Sequence, residues 1–233
     1  MTRQIIVGVL ALQGAFIEHI QYFNQAITLE SYKYDFKFIE VKTKPQLDSC
    51  DGLVIPGGES TSMSLIAERT NMLEPLMEFV KTKPVWGTCA GLIFLAKYLI
   101  GGKVDQKLLG GIDIEVTRNA FGRQLDSFEI DLDFSNFIPN CTNFSTFFIR
   151  APVITLISPK SISESCTISS NDYINPDPVQ VLYTLSYKNK DLIVAVKQGL
   201  KLGTSFHPEL SNGDARFHKY FLDEFVIKSV VEK

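Results

Sequence analysis

Hydrophobic and polar positions along the first hundred residues switch between two periods. Residues 5–10 form an unbroken apolar run of strand length, the pattern of a strand covered on both faces of a parallel sheet. Gly14 punctuates it, and Phe16, Ile17, Ile20, Phe23 and Ile27 then recur at helical spacing. Residues 35–41 alternate, with Phe36, Phe38 and Val41 set against Lys37 and Glu40. Residues 52–55 read as a short buried strand stopped by Pro56-Gly57-Gly58. Ser60 or Thr61 is placed to cap the helix that follows, marked by Leu65 and Ile66. A second helical stretch carries Leu73, Leu76, Met77 and Val80, and residues 84–87 form the fourth strand. Leu92, Leu95, Ala96 and Leu99 then define one face of a further helix. Strands separated by helices of this length predict a right-handed, doubly wound α/β fold of three layers.

The second half changes character. Residues 112–117, 128–132, 147–149, 153–157, 179–186 and 192–196 are strand candidates without helices between them. They predict an antiparallel portion grafted onto the mostly parallel sheet, with the polar residues 187–191 as a hairpin turn. Residues 158–178, rich in Ser, Asn, Asp and Pro, predict an exposed loop or insertion. Phe217, Tyr220, Phe221 and Phe225 mark a last helix. There is no linker, repeat or low-complexity tract, so residues 1–233 are expected to form one domain.

Composition narrows the function classes. Of 233 residues, 45% are hydrophobic and 21% charged, ordinary for a globular protein and incompatible with extensive disorder. Lys plus Arg number 23 against 26 Asp plus Glu, a net charge of −3, which argues against nucleic acid or an anionic membrane as main partner. No apolar run reaches the roughly 18–20 residues of a bilayer span. Cys50, Cys89, Cys141 and Cys166 show no CxxC spacing, and with three scattered histidines they offer no metal cluster. No metal or cofactor is therefore expected. Reduced thiols point to a cytoplasmic location.

Gly87-Thr88-Cys89-Ala90-Gly91 is the most informative string. It sits between a buried strand and an apolar-periodic helix, the nucleophile-elbow pattern with sulfur in place of the serine oxygen. The flanking glycines suit a sharp turn with close backbone. The sulfur would project beyond the carboxyl end of the sheet, facing helix N–H groups that favour a thiolate. The N–H of Ala90 lies where it could stabilise an oxyanion. The other three cysteines read as small buried hydrophobes.

A nucleophilic cysteine needs a base, and three histidines are available. His19 and His218 fall inside amphipathic helices, where a histidine is ordinarily a surface or core-edge residue. His207 follows the apolar strand 202–206, and Pro208 disfavours a helical conformation for it. In an extended segment residues i and i+2 share a side, so Glu209 can orient the imidazole as the third member of a triad. Pro56-Gly57-Gly58-Glu59-Ser60 ends another parallel strand and so faces the same crevice, with backbone freed by glycines and a carboxylate able to meet an ammonium group.

The elbow, His207-x-Glu209 and the 56–58 turn together resemble class I glutamine amidotransferases, whose triad is Cys-His-Glu. Further strings narrow the resemblance: Leu12-Gln13-Gly14 with Glu18-His19, then residues 56–61, then Arg118-Asn119-Ala120-Phe121-Gly122-Arg123-Gln124 with Ser127-Phe128-Glu129. Phe148-Ile149-Arg150-Ala151-Pro152 and His207-Pro208-Glu209-Leu210 complete the set. This pattern is similar to the glutaminase subunits of pyridoxal 5'-phosphate synthase and runs from residue 9 to about 210.

The resemblance implies that Cys89 attacks the side-chain amide of L-glutamine, His207 relays protons and Glu209 orients it, releasing glutamate and ammonia. It assigns glutamine binding to Gly58, Glu59, Ser60, Arg118, Ile149 and Arg150, although both arginines would otherwise read as surface residues. Gln13 is implied to couple the site to a partner. That partner would be a (β/α)8-barrel synthase subunit in a large ring-shaped hetero-oligomer, which takes ammonia with a pentose phosphate and a triose phosphate. Residues 31–37 and 158–178 look longer than in compact members, without interrupting a motif. A glutaminase serving imidazole glycerol phosphate synthesis would share the elbow and His-Pro-Glu but is not expected to carry the 118–124 and 148–152 strings. A non-catalytic binding subunit would not need the trio, and a cysteine peptidase is disfavoured by Glu59 and Arg118, which suit a free amino acid.

Overall fold

The computed structural model describes residues 3–118, 127–159 and 165–231. The chain begins β1 (Gln4–Leu10), α1 (Phe16–Ala26), β2 (Asp35–Val41), α2 (Lys44–Asp48), β3 (Gly52–Ile55), α3 (Ser60–Arg69), α4 (Leu73–Thr82) and β4 (Val85–Thr88). It continues α5 (Ala90–Leu95), β5 (Ala96–Ile100), β6 (Ile112–Thr117), β7 (Phe128–Leu132), β8 (Phe144–Phe148), β9 (Val153–Ile157) and β10 (Cys166–Ile168). Last come β11 (Gln180–Tyr187), β12 (Lys190–Gln198), β13 (Lys201–Thr204), a 3-10 turn (Pro208–Leu210), α6 (Arg216–Phe221), a π-helical turn (Leu222–Ile227) and α7 (Lys228–Val231).

The main sheet runs β10-β5-β6-β9-β12-β13-β4-β3-β1-β2, with β11 paired to β12. From β2 to β13 every pairing is parallel, as expected where helices cross between strands. Beyond β13 the pairings with β12, β9 and β11 are antiparallel, the grafted portion that the helix-free second half predicts. The β7–β8 pair stands apart as a two-stranded ribbon. Neighbouring strand residues bury on opposite faces: Val54 and Trp86 join one core with Phe23, Phe217 and Phe221, while Leu53 and Val85 join another with Met63, Leu76 and Phe94. Helix, sheet and helix form three layers. No described helix is long and apolar enough to cross a membrane.

Four expectations change. The helix after Cys89 ends at Leu95, and residues 96–100 form β5 instead of continuing it. This segment is buried on nearly all sides, so helical and strand periodicities cannot be told apart. The third helix is capped by Glu59, which accepts from the N–H groups of Thr61 and Ser62, and not by Ser60 or Thr61. In the 158–178 segment, β10 pairs with β5, and two polar residues turn inward. Ser169 donates to the Leu108 carbonyl and Asn171 to that of Leu109, at 2.8 Å each. The segment seals backbone acceptors there and is not simply an exposed loop. Finally, the 147–149 strand lies earlier, at β8. The 187–191 turn is borne out: Tyr187 pairs with Lys190, and Lys188 and Asn189 take positive φ of 48° and 61°, a two-residue type I′ hairpin.

The last helix is fixed to the sheet by Phe217, whose fully buried ring lies 5.0–5.3 Å from the rings of Phe134, Phe144 and Phe206. Phe217→Ala is expected to cost about 3–5 kcal/mol, read from the midpoint of chemical denaturation. A loss below about 1 kcal/mol would show that α6 is held by other means.

Candidate active site

Cys89 occupies the turn between β4 and α5 with φ 49° and ψ −105°, a conformation a non-glycine residue adopts only when its surroundings impose it. The surroundings do so through the flanking glycines. A Cβ on Gly91 would come within 1.9 Å of the Ile55 carbonyl oxygen, and one on Gly87 within 2.5 Å of the Gly91 oxygen. The backbone can pass this closely only without side chains at both positions. Cys89 N–H donates to Thr204 O at 2.8 Å, which ties the elbow to the end of β13.

Three residues beyond Thr204 stands His207, in an extended conformation of φ −107° and ψ 87°, as the following proline requires. Its N–H donates to the Phe147 carbonyl at the end of β8. Its Nδ1 lies 2.8 Å from Glu209 Oε1. The predicted pairing of the two side chains is present, but its cause differs: residues 208–210 form a 3-10 turn, and the turn folds the carboxylate back under the ring.

The two groups tune each other. Burial works against a charged His207, but hydrogen bonding to Cys89 and to Glu209, together with their charge, outweighs it and pushes the imidazole up to about 10. Glu209 is fully buried, which favours its neutral form, yet His19 and His207 hold it below the usual carboxylate range. Burial pushes the thiols of Cys50 and Cys141 up to about 11, which leaves them inert near neutrality.

Gly58, Glu59, Ser60, Cys89, Ala90, Arg118, Ile149, Arg150 and His207 line one cleft of about 160 Å³, joined by Ile93 and Pro152. Nine of the eleven residues singled out from sequence thus share it. Glu209 sits behind His207, and Gln13 braces the rim: its amide donates to Glu59 O at 2.9 Å and accepts from Glu59 N–H at 3.2 Å. Ser60 Oγ accepts from Gln106. Arg118 is drawn in from the surface: Nη2 meets Glu59 Oε1 at 3.1 Å and Nη1 donates to Thr61 Oγ1 at 3.2 Å. The remainder of its string, residues 119–124, lies outside the described residues. Although partial burial opposes it, hydrogen bonds from Ser62 and Thr61 hold the Glu59 carboxyl down at about 2. Among the described residues, no three His, Cys, Asp or Glu side chains are grouped to hold a metal ion.

His19 and His218 depart furthest from their sequence reading. Both are fully buried: His19 Nε2 lies 3.3 Å from Glu209 Oε2, and its Nδ1 lies 2.9 Å from His218 Nε2. The signal was present in the periodicity, since His19 shares the apolar face of Phe16, Phe23 and Ala26, and His218 that of Phe221 and Phe225.

A mostly parallel α/β sheet with a cysteine elbow beside a histidine–glutamate pair has the architecture of the glutamine amidotransferase class. A solved structure of a glutamine amidotransferase is 37% identical, with a TM-score of 0.68 over 93% of this chain and 97% of that one. The pyridoxal 5'-phosphate synthase subunit SNO1 of Saccharomyces cerevisiae is 48% identical over 224 residues, covering 95% of this chain and 93% of the yeast protein. The pyridoxal 5'-phosphate synthase subunit PdxT of Corynebacterium jeikeium is 41% identical over 219 residues, 94% and 95% of the two chains. Residues 9–227 match the SNO glutamine amidotransferase family, and the chain belongs to it.

Glu59 caps α3 with both carboxylate oxygens, so Glu59→Gln is expected to destabilise by about 1 kcal/mol at pH 7, roughly 2–4 °C in melting temperature. Because its pKa is depressed, this contribution is complete above the ordinary value near 4.5 and lost as pH falls toward about 2. The gap between the two melting curves should close over that interval. A gap that persists at pH 2 would separate the effect from the charge.

Proposed function

We propose that this chain, acting as a single glutaminase domain over residues 1–233, hydrolyses L-glutamine to L-glutamate and ammonia through Cys89, His207 and Glu209. It delivers the ammonia to a (β/α)8-barrel subunit of pyridoxal 5'-phosphate synthase in vitamin B6 biosynthesis. The observation that carries this reading is the junction of β4 and β13, which sets the sulfur, the imidazole and the buried carboxylate in series at adjoining strand ends.

Glutamine offers an α-carboxylate and an α-ammonium at one end. The cleft offers Arg118 and Arg150 to the first and Glu59 to the second, with Gly58, Ser60 and Ile149 shaping the walls. The side-chain amide then reaches Cys89. The thiolate adds to the amide carbon, and the oxyanion so formed is met by the N–H of Ala90, free of an intrahelical acceptor in the first helical turn. His207 gives its proton to the amide nitrogen, the C–N bond breaks and ammonia leaves a glutamyl thioester. Water attacks that thioester, His207 takes up its proton, and glutamate departs as the thiolate–imidazolium pair is restored. Glu209 stabilises the imidazolium and holds the ring with Nε2 toward sulfur. No cofactor is required.

Ammonia released into water near pH 7 is mostly protonated and useless as a nucleophile, so it must reach the second site shielded. Gln13, clamped to the Gly58–Glu59 turn at the cleft rim, is the residue proposed to couple the site to the docked synthase. A reactive thiol fits a reducing compartment, and we place the protein in the cytoplasm.

Glutamine hydrolysis by the purified chain should rise on adding the barrel subunit and vanish in Cys89→Ala; equal rates in that variant would refute the nucleophile. Glu209→Gln should lower kcat about 100-fold while shifting the melting temperature little, and an unchanged rate would remove the carboxylate from the mechanism. Because the His207 pKa is raised, its proton is retained up to about pH 10 and not lost near 6.5. The kcat/KM profile should therefore hold through pH 9 and fall toward 10. A fall centred near 6.5 would mean that the two neighbouring anions do not control the ring.

A further inference from the structure

Behind Glu209 a line of polar atoms continues into the protein, where packing alone would favour hydrocarbon. Glu209 Oε1 is engaged by His207, while Oε2 is buried with no aligned donor among the described residues and has His19 Nε2 3.3 Å away. The Thr88 hydroxyl lies 3.5 Å from the same nitrogen. His19 Nδ1 in turn faces His218 Nε2 at 2.9 Å. We infer that neutral His19, held in its Nε2–H tautomer by His218, is a positioning residue whose Nε2–H side stands against Glu209 Oε2 at 3.3 Å and so keeps Oε1 on His207. The inference rests on the triad proposed above and adds two members to its support.

The tautomers follow from the contacts. A proton on His19 Nδ1 would leave the unprotonated, negatively polarised Nε2 only 3.3 Å from a carboxylate oxygen, an unfavourable contact in a site without water-like screening. With the proton on Nε2, Nδ1 becomes an acceptor, and His218 must then donate from its own Nε2. The Nδ1 of His218 would then carry no proton and need no acceptor, and it is buried without a hydrogen-bond partner among the described residues. The rest of the His218 surroundings are aromatic: its ring lies about 5 Å from those of Trp86, Phe23 and Tyr22. A phenyl ring would fill that box without stranding a nitrogen, so the imidazole is explained by the bond it makes to His19.

The charge state serves the same end. Burial lowers the pKa of both rings, and the charged or titratable groups acting on His19 are Glu209, His207 and Glu18, with His218 on its far side. As a neutral dipole His19 orients the carboxylate and favours its ionised form, leaving the ion pair to His207. A cation there would compete with His207 for the same anion.

The test uses the full chain with its barrel synthase and glutamine as substrate. His19→Leu should lower kcat at least ten-fold with KM within two-fold, and His19→Gln, which can present an amide N–H near the Nε2 position, should recover most of the loss. A kcat for His19→Leu within two-fold of the parent, while Cys89→Ala is inactive, would overturn the inference and leave the triad standing. If neither His19→Leu nor His19→Gln folds, or if the parent itself lacks glutaminase activity, nitrogen-15 imidazole spectra of the unsubstituted chain decide. His19 should be a neutral Nε2–H tautomer from pH 6 to 9; an imidazolium or an Nδ1–H tautomer overturns the inference.

Discussion

The parallel pairing of β4 with β13 is the constraint on which the rest depends. Val85, Trp86, Gly87 and Thr88 lie opposite Lys201, Leu202, Gly203 and Thr204, and all eight are buried. Trp86 Nε1 donates to Thr204 Oγ1 across the pair, a bond between residues 118 positions apart. Closing a loop of that length is costly in chain entropy, though the cost grows slowly with length. It is offset because the two strands complete both cores at once, one through Trp86 and Leu202, the other through Val85. The site therefore needs both halves of the chain: neither half alone holds the sulfur and the imidazole together.

How much of this was legible before any coordinates follows from which signals are local. β2 and β3 fall at the boundaries their apolar patterns predict, because each is short and bounded by turn residues. The elbow was readable because its requirement is local too: glycines two residues either side of a nucleophile, between strand and helix. The 90–100 segment was not, since burial on all sides erases the difference between the two periods. The capping role of Glu59 was also hidden. Shorter side chains are the usual caps, and only the fold shows this longer one bending back onto Thr61 and Ser62 while leaving an edge for Arg118. The burial of His19 and His218 was legible in their helix faces but their meeting was not: nothing in sequence says that two histidines in separate helices meet behind a glutamate.

The cleft lies where the sheet changes from parallel to antiparallel. On the parallel side, the ends of β3 and β4 bring the glycine turn and the sulfur. On the other side, the connection between β8 and β9 brings Ile149, Arg150 and Pro152 over the top. A doubly wound sheet by itself offers a crevice at its carboxyl ends with one open wall. The antiparallel half supplies that wall, and the same ribbon fixes the base, since His207 N–H is held by the Phe147 carbonyl. One wall of the cleft and the hold on His207 are thus built from one piece of structure, the part of the chain that departs from the helix–strand alternation of the first half.

A buried carboxylate is an expensive device, and its environment decides whether it stays charged. Glu209 is fully buried, and removing an ion from water costs several kcal/mol unless partners replace the solvent. A single histidine partner satisfies one oxygen and leaves the other facing the interior. Were the second oxygen abandoned, the cheaper solution would be protonation, and a neutral carboxyl group could no longer stabilise the imidazolium beside Cys89. The depressed pKa of Glu209 and the raised pKa of His207 share the contact between them, while His19 adds to the first and Cys89 to the second. The helix α1 supports the site without lining the cleft: it carries His19 to the closed side of the carboxylate and, just ahead of its first turn, Gln13 to the open side of the glycine turn.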